Sequence, residues 1–300
     1  MYKKKFKIEG DRTYDVYAEN YSSANEVMAV ARTRPRNDHI SSRYDCLVGT
    51  GDWFDRDWDG FESKEELEGL IKYGIRDAKL TSEVQRYAYK AYVQEKDKFS
   101  RRVLSVAGGG VNVPLMLSGS PEVMYSRAKA PVHTKIINMG IGVEIVAGVN
   151  TKDYAHAGML IAELICKLEK AGYRVRLQTL DAYYANTRRI NVLSTVLKKE
   201  NEPMNYARMF FPLTSVASSR GLGFGWAARN QDFNHDLGTY TEYAFSSEDR
   251  NMKMAELYEN STGLKGFTMF GVKDVINMMH QRGDDATMKY IESRLISSLS

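Results

Sequence analysis

Residues 135–180 constrain the fold of this chain more than any other segment. Residues 135–147 are apolar and partly β-branched, as in a strand buried on both faces. A helix that Asp153 could cap comes next, and Gly172 ends it before a second strand at 173–180. Its apolar residues recur every three or four positions and form one stripe: Ala157, Leu160, Ile161, Leu164, Ile165 and Leu168. Strand, amphipathic helix and strand predict a βαβ unit with parallel strands.

The flanking segments extend this unit into an α/β protein with a Rossmann-like central sheet. We expect an N-terminal α+β region over residues 1–106, which opens with a hairpin turned at Gly10-Asp11. The Rossmann-like core is predicted over 107–230, and a C-terminal helical segment over 231–300. Within the core, residues 189–199 are rich in β-branched side chains and favour another strand, with a helix as the alternative.

Local patterns predict several further elements. Leu80, Val84 and Tyr87 stand at helical spacing and indicate one long helix over 80–104. Residues 111–124 are apolar but contain Pro and Gly, which predicts a loop along the surface with a short helix near 122–127. A short helix is expected from Asn205, ending at Pro212. Three short C-terminal helices are expected over 251–260, 272–281 and 284–299.

Composition argues against several classes of protein. A net charge of +4 is small for a dedicated nucleic-acid-binding protein. Two cysteines, Cys46 and Cys166, are too few for a disulfide scaffold of this size, which predicts a reducing, cytoplasmic setting. We expect no signal peptide, because the first residues lack an apolar segment. No apolar run approaches the ~18 residues of a membrane span, so no membrane partner is predicted.

The familiar catalytic motifs are missing from the sequence. It contains neither a P-loop nor a G-x-S-x-G elbow, and its five histidines are scattered. Gly221, Gly223 and Gly225 form a G-x-G-x-G pattern, but it follows a Ser-rich segment and not a clear strand. Tight packing of a helix is the favoured explanation of these glycines. We therefore predict no catalytic residues and no organic cofactor.

An acidic segment has the spacing of an EF-hand calcium loop. Asp55, Asp57, Asp59, Gly60 and Glu66 fit the pattern D-x-D-x-D-G-x₅-E. Calcium is therefore the one metal that the sequence suggests. The segment before Asp55 contains glycines in place of an incoming helix, and no partner hand is present. The alternative interpretation is a solvated turn that leads into the N-terminal cap of a helix.

Two residue sets are candidates for contact with macromolecules. The aromatic side chains of Trp53, Phe54 and Trp58 stand among these acids, and Trp is enriched at interface hot spots. Their alternative role is to anchor an irregular loop onto the core. Four arginines flank two predicted strands and could share a rim that contacts nucleic acid, or be ordinary surface side chains; they are Arg174, Arg176, Arg188 and Arg189.

Short motifs occur in a characteristic order between about residues 25 and 230. They are Trp58-x-Gly60-x-x-Ser63-x-Glu65-Glu66 with Gly74, then Ala107–Gly110 with Pro114, then Ser118–Met124, then Leu168-Glu169-x-x-Gly172-Tyr173-x-Val175, and last Phe211-Pro212-Leu213 with Arg220-x-x-Gly223-Phe224. In this order they resemble an uncharacterised family of proteins found mostly in bacteriophages and other mobile elements. The resemblance implies a viral or mobile-element origin and carries no established activity.

The βαβ segment also resembles a von Willebrand factor A domain. Members of that fold often bind partners through a metal held by D-x-S-x-S after the first strand. The equivalent residues 148–153 lack this motif, and Lys152 would repel a cation. The resemblance therefore implies the fold without its metal site.

Together these features predict a non-catalytic protein of phage origin that binds a macromolecule in the host cytoplasm, with a protein as the first choice of partner. A nucleic-acid-binding protein is one alternative. A self-assembling virion or shell subunit, which would be a homo-oligomer, is another. An enzyme with an unfamiliar site is the third.

Overall fold

The computed structural model describes residues 1–10, 12–35, 47, 56–74, 100–106, 110–129, 135–143, 149–186, 188–202, 206–230 and 250–297. Its strands are β1 (Tyr2–Glu9), β2 (Thr13–Tyr21), β3 (Ser100–Ser105), β4 (Gly110–Val111), β5 (Met124–Lys129), β6 (Ile136–Gly142), β7 (Arg174–Asn186), β8 (Arg189–Lys198) and β9 (Phe267–Gly271). Its helices are α1 (Ala24–Thr33), α2 (Arg56–Asp59), α3 (Lys64–Tyr73), α4 (Val113–Leu117), α5 (Thr151–Lys170), α6 (Tyr206–Thr214), a π-helix (Ser218–Gly223), α7 (Phe224–Ala227), α8 (Arg250–Thr262), α9 (Val272–Arg282) and α10 (Asp284–Ser297).

Six strands form the main sheet, in the order β1-β2-β8-β7-β6-β9. The pairs β2–β8, β7–β6 and β6–β9 are parallel, whereas β1–β2 and β8–β7 are antiparallel. The predicted α/β class is confirmed, with a mixed sheet; the Rossmann-like description of its centre stays a prediction. Each of the three predicted segments contributes at least one strand to this sheet, and the proposed segment boundaries stay predictions.

The predicted βαβ unit is present as β6, α5 and β7. Ile137 of β6 pairs with Val175 of β7 in parallel register. The apolar stripe of α5 is buried against these strands, with Leu164 1% exposed. One detail of the prediction is wrong, because Asn150 and not Asp153 caps the helix. Asn150 Oδ1 accepts a hydrogen bond from the backbone N–H of Asp153 at 2.8 Å, which places Asp153 inside the first turn.

Helices cover both faces of the sheet, because side chains alternate between the faces along each strand. On β7, Val175, Leu177 and Tyr183 pack under the helices α1, α3, α5, α6, α9 and α10. Leu180 and Ala182 point the other way, toward Leu257 and Tyr258 of α8. In the described part of the chain, six helices therefore pack on one face of the sheet and α8 packs on the other.

The longest helix, α5, has 20 residues and is amphipathic. Its apolar stripe is buried, and the opposite face carries half-buried or exposed charged residues such as Lys152 and Lys167. Across the described ranges, no helix combines the length and apolarity that crossing a membrane requires.

Three predicted elements differ from the structure, and a strand (β9) and a short helix (α4) were not predicted. Residues 100–105 form β3 and not the end of a helix, and residues 75–99 lie outside the described part of the chain. Residues 124–129 form β5, because they pair with β3. A strand, β9, precedes the second C-terminal helix. Helix α6 continues through Pro212 to Thr214, since burial of Phe211 and Leu213 outweighs a proline penalty of about 3 kcal/mol.

Candidate functional site

A separate three-stranded antiparallel sheet, β3-β5-β4, carries much of the exposed apolar surface of the protein. Among the described residues, seven of the fourteen large apolar side chains that are exposed lie between residues 104 and 125. They are Leu104, Val106, Val111, Val113, Met116, Leu117 and Tyr125. Single exposed apolar residues are normal, but a group of this size within one short segment marks an interaction surface.

Helix α4 concentrates this surface on one side. Val113, Met116 and Leu117 stand at positions i, i+3 and i+4, so they share one face of the helix. Their exposed fractions are 57%, 60% and 83%. The helix has no buried residue. We call the stripe formed by these three side chains the α4 face; it is an apolar helix surface that points into solvent.

Hydrogen bonds hold α4 in place. Asn112 caps the helix, because its Oδ1 accepts from the N–H of Leu115 at 3.3 Å, while its Nδ2 donates to the Tyr125 hydroxyl at 2.8 Å. The backbone N–H of Asn112 also donates to the carbonyl of Val123 at 2.6 Å. Gly119, with φ of +76°, ends the helix and returns the chain. The α4 face is therefore presented by a preorganised turn.

A second feature, a buried carboxylate, lies in the main sheet. Asp181 of β7 is 2% exposed, and the Tyr183 hydroxyl donates a hydrogen bond to its Oδ2. Its Oδ1 has no hydrogen-bond partner among the described residues. Burial raises the pKa of Asp181 to about 7, against the opposing effects of Tyr183 and Ser219.

The π-helix packs directly onto this carboxylate. A Cβ at Gly223 would lie 2.3 Å from Asp181 Oδ2, so only glycine fits there. Gly221 and Gly225 are equally tight, the first against Phe61 and Leu67 and the second against Leu47. These contacts confirm that the G-x-G-x-G pattern serves close packing. Single-turn π-helices are frequent at functional sites, which draws attention to Asp181.

Two cavities adjoin this region. A small, partly open cavity of about 20 Å³ has Asp181 in its wall, together with Thr179, Thr195, Ser218 and five apolar residues. A wider cleft of about 480 Å³ lies beside it, between the start of α1 and the end of α3, and shares Ala24 and Pro212 with it. The described linings of both contain one carboxylate and no histidine. The small cavity has room for one species of the size of water.

Of the predicted calcium ligands, Glu66 forms an ion pair with an arginine. Asp55 lies outside the described residues, Asp57 is exposed in α2, and Asp59 is buried. The Glu66 carboxylate contacts the Arg56 guanidinium at 3.0 Å and accepts from the N–H of Glu62 at 2.8 Å. Ser63 Oγ accepts from the N–H of Glu66 at 3.1 Å, as in a capping box. Glu66 thus takes part in the N-terminal cap of α3. Calcium binding stays a prediction.

Little of the predicted aromatic patch falls within the described residues. Trp53 and Phe54 lie outside them, and Trp58 is part of α2. The neighbouring Phe61 is fully buried and packs with Leu67 in the core. The part of this segment that is described therefore shows an aromatic side chain anchoring the loop.

The four predicted arginines do not share one rim. Arg174 and Arg176 stand at the start of β7, whereas Arg188 and Arg189 stand where β7 turns into β8. Arg176 Nε lies 3.0 Å from a carboxylate oxygen of Glu200. The Arg189 guanidinium covers the Tyr17 ring at 4.3 Å from its centroid. The two pairs are thus at opposite ends of one strand, and their contact with nucleic acid stays a prediction.

Sequence interpretation missed both the α4 face and the carboxylate of Asp181. The spacing of Val113, Met116 and Leu117 carried the signal for the first, but Pro114 and the nearby glycines favoured a loop. For the second, the predicted strand ended at Leu180, whereas β7 continues to Asn186 and places Thr179, Asp181 and Tyr183 on one face. The importance of Asp181 depends on its contact with the π-helix, which is distant in the sequence.

Comparison with known proteins places the chain in a family. A family model described as a domain of unknown function (DUF7192) matches residues 5–266, from β1 to the turn before β9. No curated protein and no solved structure matches the chain. The family match does not bear on bacteriophages or on a von Willebrand factor A fold, so those two resemblances stay predictions. With most of its length matched, the chain belongs to the DUF7192 family.

Proposed function

We propose that this protein acts by binding another protein through the α4 face, and that it catalyses no reaction of its own. The supporting observation is the solvent-facing stripe of Val113, Met116 and Leu117 on a capped helix. Burying one such side chain in a partner stabilises a complex by about 1.5–3 kcal/mol before the costs of association. An exposed apolar helix face of this kind fits an apolar groove on the partner.

The rest of the described chain favours binding over catalysis. The small cavity is too small for an organic substrate, and the described lining of the 480 Å³ cleft contains neither a carboxylate nor a histidine for a general acid–base pair. The preorganised turn around Asn112 also suits recognition, because little conformational entropy is lost when a fixed surface binds.

We further propose an origin in a bacteriophage or another mobile element and action in the host cytoplasm. The support is the order of motifs from Trp58 to Phe224, which resembles such proteins. A Rossmann-like, von Willebrand factor A-like centre would give β6, α5 and β7 the role of a scaffold. In this proposal the small sheet and α4 provide the contact.

A nucleic-acid partner is the second candidate, and a different face of the small sheet favours it. Arg102 pairs with Arg127 across β3 and β5, and Lys129 pairs with Ser100 two residues away. The strand register thus places the basic positions 102, 127 and 129 near one another in the small sheet, which also contains Tyr125. A sheet that combines basic and aromatic residues suits a single-stranded nucleic acid.

Affinity capture from carrier cells tests the proposal. The tagged wild type is compared with a variant that carries Met116→Asp and Leu117→Asp, which places two charges on the α4 face. We expect wild type to retain a partner protein that this variant loses. Met252→Asp, at an equally exposed apolar residue on α8, is the matched control and should retain it.

The remaining outcomes separate the alternatives. Equal recovery of every captured protein by wild type and the α4 variant would contradict the proposal. Retention on heparin that Arg102→Glu abolishes, and that weakens steeply with salt, would favour the nucleic-acid candidate. Light scattering that shows concentration-dependent assembly of wild type would identify a second copy of the chain as the partner.

A further inference from the structure

The small sheet that carries the α4 face is strongly basic. Residues 100–129 contain four basic side chains and one acidic side chain, a net charge of +3 in this segment against +4 for the whole chain. The acid, Glu122, stands between α4 and β5 and outside the strands. The basic positions lie in the two longer strands of the sheet and are Arg101, Arg102, Arg127 and Lys129. Positive charge is therefore concentrated in the strands that flank α4 in the sequence.

Two of these positions are directly opposite each other. Arg102 of β3 pairs with Arg127 of β5 in antiparallel register, and Lys129 follows two residues further along β5. Directly opposed residues have their Cβ atoms about 4.5–5.5 Å apart, and like charges at such positions destabilise a sheet. A negatively charged partner would relieve this repulsion. The pair therefore indicates a surface whose charge is complementary to that of a partner.

Strand β5 connects the basic positions to the α4 face. The Tyr125 hydroxyl accepts a hydrogen bond from Asn112, the N-cap of α4, and Arg127 and Lys129 follow Tyr125 on the same strand. At about 3.4 Å per residue, position 129 is about 14 Å from Tyr125. A standard interface buries about 800 Å² on each partner, a patch about 30 Å across. One partner can therefore cover the α4 face and the basic positions together.

The combination of an apolar stripe with positive charge limits the class of partner. Val113, Met116 and Leu117 are 57%, 60% and 83% exposed, and covering them requires an apolar surface. The phosphates of a nucleic acid would meet the charges but would leave this stripe in contact with water. A protein groove with an apolar centre and a polar rim covers both features.

We infer that the partner protein has an apolar groove bordered by carboxylates, which receives α4 and places its acids beside the basic positions of β3 and β5. This inference rests on the proposed function of the α4 face and adds the chemistry of the partner. Complementary charge at the rim of an interface mainly accelerates association, and its effect weakens as salt increases.

Photo-crosslinking from position 117 in an extract of carrier cells tests the inference. Mass spectrometry of the adduct identifies the crosslinked peptide of the partner, in which we expect several Asp or Glu residues. The double substitution Arg102→Gln and Arg127→Gln should lower the yield of this adduct at least about fivefold, as should a rise in salt from about 0.05 M to about 0.5 M. Lys152→Gln with Lys289→Gln removes the same charge at exposed positions of α5 and α10 and should leave the yield unchanged.

The arginine variant should fold at least as well as wild type, with an equal or higher Tm in low salt, because it removes a like-charge pair. A lower Tm would show that the two arginines stabilise the sheet, which would overturn the inference. An unchanged adduct yield in this variant, or a crosslinked peptide without acids, would also overturn it and would leave the α4 face as a binding surface. A nuclease-sensitive or lipid adduct would exclude a protein partner, and the absence of any adduct would contradict the proposed function itself.

Discussion

Gly223 lies so close to Asp181 that the chain can place no side chain there: a Cβ at residue 223 would be 2.3 Å from Asp181 Oδ2 and 2.3 Å from the Tyr183 hydroxyl. This contact joins the π-helix to the middle of β7. In this protein, the G-x-G-x-G pattern needs glycine at position 223 because the backbone of the π-helix approaches a buried carboxylate there.

Gly223→Ala should destabilise the protein by about 1–3 kcal/mol, as overpacking of a tight interior does. The added methyl group would push the π-helix away from Asp181 and Tyr183, because both contacts are with the ends of buried side chains that are hydrogen-bonded to each other. Urea unfolding measures the effect as a lower midpoint.

Gly69→Ala is the matched control for this glycine. Gly69 lies inside α3, and a Cβ there would meet nothing within 4 Å. The change should stabilise the protein by about 0.5–1 kcal/mol, because alanine loses less conformational freedom in a helix. Equal effects of the two substitutions would show that crowding at Gly223 is not important.

Asp181 should make the protein less stable as the pH rises toward neutrality. Its pKa is about 7 in the folded protein and about 3.9 in an unfolded chain. Since the folded state holds the proton more tightly, this stabilising contribution is complete below about pH 4 and is lost as the pH rises through about 7.

Asp181→Asn removes this dependence. The unfolding free energy of the variant, relative to wild type, should increase between about pH 4 and about pH 7 and stay constant above. Denaturant unfolding at a series of pH values measures the difference. Two curves that run parallel through this window would mean that Asp181 does not titrate there.

Glu19 should have the opposite effect, at lower pH. Burial alone would raise its pKa, but hydrogen bonds from Lys3, Tyr21 and Arg34 outweigh burial and lower the pKa to about 2. Its contribution is therefore present above about pH 4.5 and is lost as the pH falls toward about 2. Trp226 Nε1 also donates to this carboxylate at 3.0 Å.

Glu19→Gln should cost about 3–5 kcal/mol at neutral pH, as the loss of one partner from a buried ion pair does. It should also flatten the acid limb of the stability curve. Glu9→Gln, at an exposed carboxylate of β1, is the control and should change stability by no more than about 0.5 kcal/mol. A neutral result for Glu19→Gln would indicate that Arg34 and Trp226 are stable without it.

Leu164→Asp tests the packing of α5 on the sheet. Leu164 is 1% exposed, so the new carboxylate would be buried without a partner, and we expect a loss of about 4 kcal/mol or more. Lys152→Asp, in the exposed first turn of α5, should be neutral or slightly stabilising because it complements the helix dipole. Unchanged melting of Leu164→Asp would place the stripe in solvent.

The sequence predicts the fold best where one residue pattern determines a whole element. The stripe from Ala157 to Leu168 leaves α5 only one way to bury its apolar face, so β6, α5 and β7 follow. Strand β9 is too short to show a period, and Phe267–Gly271 becomes a strand through its parallel register with Asn138–Gly142, more than 120 residues away. Strands β2 and β8 also pair across a long stretch of sequence, and no local pattern in either strand indicates that pairing.

The candidate sites were harder to predict, because each depends on the surroundings of a residue in the folded chain. Met116 and Leu117 are apolar residues of the kind usually found in a core, and they are significant because both are exposed on α4. Asp181 would be an ordinary strand residue on a solvated face. Its significance comes from Gly223, which lies 42 residues further along the chain and encloses it.

The most direct measurement of the central claim is site-specific photo-crosslinking in carrier cells. A photoreactive amino acid replaces Leu117, the most exposed residue of the α4 face, or Met252 on α8 as the control. We predict a discrete protein adduct from position 117 that is absent from position 252. Adducts that are the same from both positions, or none from position 117, would contradict the assignment of the α4 face as the binding surface.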